Sequence, residues 1–238
     1  MLLLVLLLAI QNFSAGETLD YDVTWIAIAG GSMRMTIAPQ PGDPSHYRMT
    51  SMTESNSAFA KIYAVRDEIE SVVDRKDFST LHYNKHLVEG GKEKDDSTAI
   101  DEKTKLATRE RPGKETEKVA VPKPVFDPLS LVYHLRELDL TPGKVHRFRV
   151  FADGKLYTLE ATVTGREAIE TPAGKFNTVI VEPRMAAGGL FRDENATLTI
   201  WYTDDARHIP VKISSDVKVG AITATLRGVR TGVTSIEP

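Results

Sequence analysis

Alternation of apolar and polar residues, broken about every eight to twelve positions by turn formers, is the feature that most limits what this chain can fold into. Leu19, Tyr21, Val23 and Trp25 alternate with Asp20, Asp22 and Thr24. A period of two buries one face of a strand and leaves the other to water. Gly30-Gly31 interrupts the run before Met33, Met35 and Ile37 resume it, which predicts a hairpin or a sharply bent strand at the glycines. Pro39, Pro41, Gly42 and Pro44 predict a turn, and 46–54 and 66–74 predict further strands, with one or two helical turns within 57–64. Beyond Gly143 the pattern is again β. Ala152-Asp153-Gly154-Lys155 and Thr171-Pro172-Ala173-Gly174-Lys175 read as hairpin turns, and Tyr157 to Val163, Leu198 to Tyr202 and Ile222 to Leu226 alternate. With roughly ten to thirteen strands, no βαβ alternation, no internal repeat and no linker, the reading is a single all-β domain over 17–238. Its architecture is a large antiparallel sheet curled into a half-barrel or a sandwich.

One segment departs from this pattern. Asp127 is a good helix N-cap and Pro128 a good first helical residue, while Leu131, Leu135 and Leu138 recur at helical spacing. Pro142-Gly143 closes the segment, so a short amphipathic helix over about eleven residues is expected. The stretch 85–118 carries nine basic and nine acidic residues and few apolar ones. A balanced block of this kind predicts long, solvated hairpins turning at Gly90-Gly91 and 101–103, with a disordered loop as the alternative.

Composition narrows the chemistry. The 238 residues include no cysteine, so disulfides, thiolate nucleophiles, Cys-ligated metals and Cys-linked lipid anchors are excluded. A net charge of −3 argues against a general nucleic-acid binder. The start, MLLLVLLLAIQNFSAG, has no charged side chain, and its apolar run from Leu2 to Ile10 is too short to span a bilayer. Small residues at Ser14, Ala15 and Gly16 follow, so 1–16 reads as a signal peptide cleaved near Gly16, although the usual basic residue before the apolar core is missing. No later apolar run reaches membrane-spanning length, so no integral membrane segment is expected after cleavage.

Several stretches, in order along the chain, resemble the DUF3108 family of exported bacterial proteins. They are Leu19-x-Tyr21-x-Val23-x-Trp25 with Gly30, the run Asp127-Pro128-Leu129-Ser130-Leu131-Val132-Tyr133-x-Leu135-Arg136, and Thr171-Pro172-Ala173-Gly174-Lys175-Phe176. The most distinctive is Trp201-Tyr202-Thr203-Asp204-Asp205-x-Arg207-x-Ile209-Pro210-Val211. The resemblance implies an exported, periplasmic protein and supplies no catalytic residues. In architecture, a sheet curled around a helix is also similar to the periplasmic lipoprotein carriers of the LolA and LolB type.

Candidate chemistry is sparse. His82 and His86 lie four apart, but on a strand they stand roughly 13 Å apart at ~3.3 Å per residue, too far to share a metal, so no metal site is expected. Asp204, Asp205 and His208 form the densest acid–histidine cluster and offer a hydrolase reading, with a turn as the plainer one. Acid pairs such as Glu68 with Glu70 or Asp95 with Asp96 are expected by chance among 33 acids. Gly188-Gly189 lacks a phosphate-binding pattern and reads as a loop, and no sequence motif implies a cofactor. The spread aromatic residues, Trp25, Phe59, Tyr63, Tyr133, Phe148, Phe191 and Trp201, read either as ordinary core or as a concave apolar site. The leading expectation is a non-catalytic protein that binds a lipid or other amphipathic envelope molecule through Trp25, Tyr133, Arg136 and Trp201. The alternative is a scaffold that contacts envelope proteins.

Overall fold

The structure is a computed structural model that describes residues 16–185, 197–216 and 220–232. The expected signal peptide, apart from Gly16, lies outside the described residues, as do Gly188, Gly189 and Phe191. Among the described residues, fourteen strands form one antiparallel sheet: β1 (Glu17–Trp25), β2 (Ile28–Gln40), β3 (Asp43–Ser55), β4 (Val65–Asp74), β5 (Thr80–Glu89), β6 (Lys92–Asp101), β7 (Leu106–Glu110), β8 (Glu117–Ala120), β9 (Val145–Ala152), β10 (Lys155–Thr171), β11 (Gly174–Met185), β12 (Leu198–Thr203), β13 (Pro210–Asp216) and β14 (Ala221–Arg230). Strands β1 to β8 and β9 to β14 are two meanders. They are joined by pairing of β1 with β14, in which Tyr21 faces Leu226 and Trp25 faces Ile222.

The order leaves β8 and β9 as edges, and the sheet curls until they approach one another. The β9–β10 turn is the Asp153-Gly154 pair read from the sequence, both residues at positive φ. Asp153 accepts a 2.6 Å bond from Lys85 on β5 and lies 3.7 Å from Arg109 on β7. Further along the seam, the segment 121–127 bridges the gap: Val125 accepts from Thr80 N–H, and Phe126 exchanges backbone bonds with Arg149 and Phe151.

Because the strands run in a meander, successive turns alternate between two ends of the curl. One end is filled. Helix α1 (Pro128–His134) and a 3₁₀ turn over Leu135–Glu137 pack against β3, β4 and β9, with Leu129, Leu131, Tyr133 and Leu135 buried in the core. The helix is shorter than expected because its last turn tightens to 3₁₀ geometry. Its start is a capping box: Asp127 accepts from Leu129 and Ser130 N–H, and Ser130 Oγ accepts from Asp127 N–H. Asp127 also accepts from Ser71 and Thr80 hydroxyls, tying the helix to β4 and β5. Burial raises the Asp127 carboxyl pKa, while these bonds pull it down.

Two expectations are corrected. Of the two readings of Gly30-Gly31, the hairpin is corrected, since the chain turns at Ile26-Ala27, both at positive φ, while the irregular-strand reading agrees with a register shift that places the glycines inside β2. The glycines serve close approach: a Cβ on Gly31 would lie 2.0 Å from the Glu54 carbonyl oxygen. The charged stretch does form hairpins, β5 to β8, but it is not wholly solvated. Asp96 and Arg109 are buried, joined by an Arg109 Nε bond of 2.9 Å to Asp96, with Glu117 accepting from the same guanidinium at 3.1 Å.

Candidate functional site

Cross-strand register tells which side chains share the concave face. Trp25 pairs with Ile222, Val23 with Ala224 and Gly31, and Met33 with Thr53. Thr53 pairs with Asp67, and Asp67 with Leu87. Since Ala224, Tyr21 and Leu226 on these columns are buried in the core, the whole set faces inward. Toward α1 the inner face is packed. Toward the opposite end it opens into a cavity of about 610 Å³.

This cavity lies beneath the turns of that end. Val23, Trp25, Ile222 and Val65 form its walls, and the β3–β4 connection carries Phe59, Ile62 and Tyr63 over it. Trp25 and Phe59 meet edge to face at 6.0 Å. The Tyr63 ring lies against Gly90 in the β5–β6 turn, where a Cβ would sit 2.7 Å from it. Gly220, before β14, packs more closely still on Ile26, where a Cβ would lie 2.2 Å from Cγ1. Around this mouth Ile26, Ile28, Ile62, Tyr63 and Ile222 are all exposed, a concentration of apolar surface that the packed end lacks among the described residues.

Three acids line the cavity: Glu54, which belongs to an outward column with Ser32 and Arg66, and Asp67 and Glu89, which belong to inward ones; Thr24, Thr53 and Ser55 are the other polar residues of a mainly apolar wall. Asp67 accepts from Val88 N–H at 3.2 Å, and Glu89 lies diagonally across β4 and β5. Desolvation, with the Glu89 charge beside it, pushes the Asp67 carboxyl pKa up to about 6. Cavities of about 680 and 690 Å³ also occur, but charged side chains line much of both. The first of these holds His86, whose Nδ1 is 2.7 Å from Asp95, an exposed ion pair on the outer face.

The four expected contact residues are not brought together. Trp25 alone lines the apolar cavity. Tyr133 and Arg136 are wholly buried at the packed end, where Arg136 holds Glu17 through two bonds of 2.5 and 3.1 Å and donates to the Arg207 carbonyl. Burial alone would lower the Arg136 pKa, but the Glu17 carboxylate outweighs it and the group stays charged. Trp201 faces outward, opposite to Ile200 and Tyr202. Its Nε1 donates to Glu167 at 2.8 Å and the Lys212 ammonium lies 4.2 Å over its ring.

Asp204, Asp205 and His208 share one turn, in which His208 N–H donates to the Asp205 carbonyl, and their side chains are engaged by separate partners. Asp204 accepts from Arg166, Asp205 from Thr203 and Arg207, and His208 Nδ1 is 2.9 Å from the Arg136 carbonyl. None of the three lines a described cavity. His82 and His86 lie on β5, as the strand reading required.

Sequence reasoning missed Asp67, Glu89, Ile62 and Ile222. Asp67 carried a signal: it falls in phase with Val65, Ile69, Ser71 and Val73, so its position on the buried face was readable.

Residues 20–227 match the profile of DUF3108, a family described as a protein of unknown function. The chain belongs to the DUF3108 family. Among solved structures, this DUF3108 chain is similar to a beta-barrel-like protein of domain of unknown function DUF1849 from Brucella abortus. The TM-score is 0.64 at 9% identity, covering 92% of this chain and 99% of that one. A protein with a YmcC-like fold from Bacteroides fragilis aligns with a TM-score of 0.35 at 11% identity, covering 91% and 96%. The first likeness concerns the fold alone. No curated protein matches the chain.

Proposed function

We propose that this DUF3108 protein is exported to the periplasm and there binds, without catalysing a reaction, the hydrocarbon part of an amphipathic envelope molecule. The binding site is the open-end cavity. The observation that carries this reading is a concave, mainly apolar space of about 610 Å³, within the range of ordinary small-molecule sites, beneath a rim of exposed apolar side chains. The cavity continues the core upward, so a tail entering there replaces water against Val23, Trp25, Phe59 and Ile222. Each buried methylene contributes about 0.8 kcal/mol before the costs of association. Export rests on the charge-free apolar run Leu2–Ile10 and the small residues after it.

Native mass spectrometry of protein purified from a bacterial envelope tests the binding reading. The expected result is a co-purifying species of lipid-like mass, or uptake of one added lipid per chain. A protein that stays at its apo mass and takes up no added lipid would overturn it.

A further inference from the structure

The cavity wall also bears on the charge of its occupant, an inference that rests on the binding reading above. Asp67 and Glu89 both belong to the inward columns and are diagonal neighbours across β4 and β5. Like charges so placed repel, and partial burial weakens the screening that water would give. Among the described residues that line this cavity there is no Lys, Arg or His to neutralise them. Three aromatic rings share the wall with Val23, Ile62, Val65 and Ile222: Trp25 and Phe59 in edge-to-face contact, and Tyr63 seated on Gly90, the residue after Glu89. Ring faces attract cations through their quadrupole, and carboxylates do so directly. The bases nearest Asp67, such as Arg66 and His86, line the neighbouring charged cavity and not this one, so an anionic head group here would meet the acids first.

We propose that the cavity selects amphiphiles that carry an ammonium head group, with Asp67 and Glu89 as the specificity-determining residues. The tail lies against Val23, Trp25 and Phe59, and the ammonium group lies between the two carboxylates and the aromatic rings.

The test compares three probes sharing a dodecyl tail: dodecyltrimethylammonium, dodecyl sulfate and uncharged dodecyl maltoside. Each is titrated below its micelle concentration at pH 7.5 into the full chain carrying Trp201→Phe, so that fluorescence reports on Trp25. The ammonium probe is expected to bind at least about tenfold more tightly than the sulfate, with the maltoside between them. Asp67→Asn combined with Glu89→Gln is expected to bring the two charged probes within roughly threefold while maltoside affinity holds. Should that pair of changes unfold the protein by circular dichroism, each single variant is expected to lose part of the preference. Equal binding of all three probes, or a preference unchanged by the substitutions, would overturn charge selection and leave tail binding standing. If no probe bound, both readings would fall.

Discussion

Asp127 shows how much one side chain can organise. Its carboxylate accepts four bonds, from Ser71 Oγ, Thr80 Oγ1 at 2.7 Å, Leu129 N–H and Ser130 N–H, all within the core. Asp127→Ala would remove the cap and leave the buried Ser71 hydroxyl without this acceptor, while Thr80 keeps Ser130 Oγ beside it, so urea denaturation is expected to show a loss of roughly 2–4 kcal/mol. An unchanged denaturation midpoint would contradict this role. The cap was legible from Asp-Pro before an apolar helical run. Its partners on β4 and β5 were not, because they lie 56 and 47 positions away.

His134 makes a pH-dependent case. It is packed among Phe78, Phe126 and Phe148, stacking on Phe126 at 4.8 Å, and burial lowers its pKa from 6.5 to about 4. The unfolded chain therefore takes up this proton first on acidification. The contribution of neutral His134 is fully present above pH 6.5 and is lost as pH falls toward 4. Discounted for partial exposure, the loss amounts to about 2 kcal/mol. Relative to the parent, His134→Leu is expected to gain that amount between pH 7.5 and 4 in urea denaturation. A difference independent of pH would contradict the assignment.

At the scale of elements, the second strand carries the most local constraint. Gly31 faces the Glu54 carbonyl so closely that any side chain must push β2 from β3. Gly31→Ala is expected to cost more than about 2 kcal/mol and to raise hydrogen exchange in both strands. Normal exchange protection there would show that the strands can shift cheaply. Alternation alone made the strand nature of this region plain. Alternation left open whether the glycines made a hairpin or an irregular strand, and the turn itself was not legible because Ile26 and Ala27, residues with a Cβ, adopt the left-handed conformation usually left to glycine. The charged hairpins teach a related lesson. Balanced charge predicted solvent, yet the phase of the strands turns Asp96 and Arg109 inward, where the pair neutralises itself.

For the whole molecule, the decisive event is the curl that brings β1 onto β14 and the β9–β10 turn onto the opposite edge. The all-β class, the lone helix and most turns were legible because they depend on neighbours in sequence. Which end of the curl is filled was not, since it depends on contacts such as Arg136 with Glu17, 119 positions apart. That is why Tyr133 and Arg136 looked like ligand contacts when they form part of the packed end. Trp25 and Trp201 lie on opposite faces of the same sheet, as their phases allow: Trp25 is in step with Leu19, Tyr21 and Val23, and Trp201 is out of step with Leu198, Ile200 and Tyr202.

We propose above that the open end receives a hydrocarbon tail. The most direct measurement is quenching of Trp25 fluorescence by an amphiphile brominated along its chain, using Trp201→Phe protein so that Trp25 is the only indole. Tail binding there predicts saturable quenching at one molecule per chain, weakened at least about tenfold by Thr53→Phe, which fills the cavity beside Asp67. Quenching that rises without saturation, or that Thr53→Phe leaves unchanged, would contradict it.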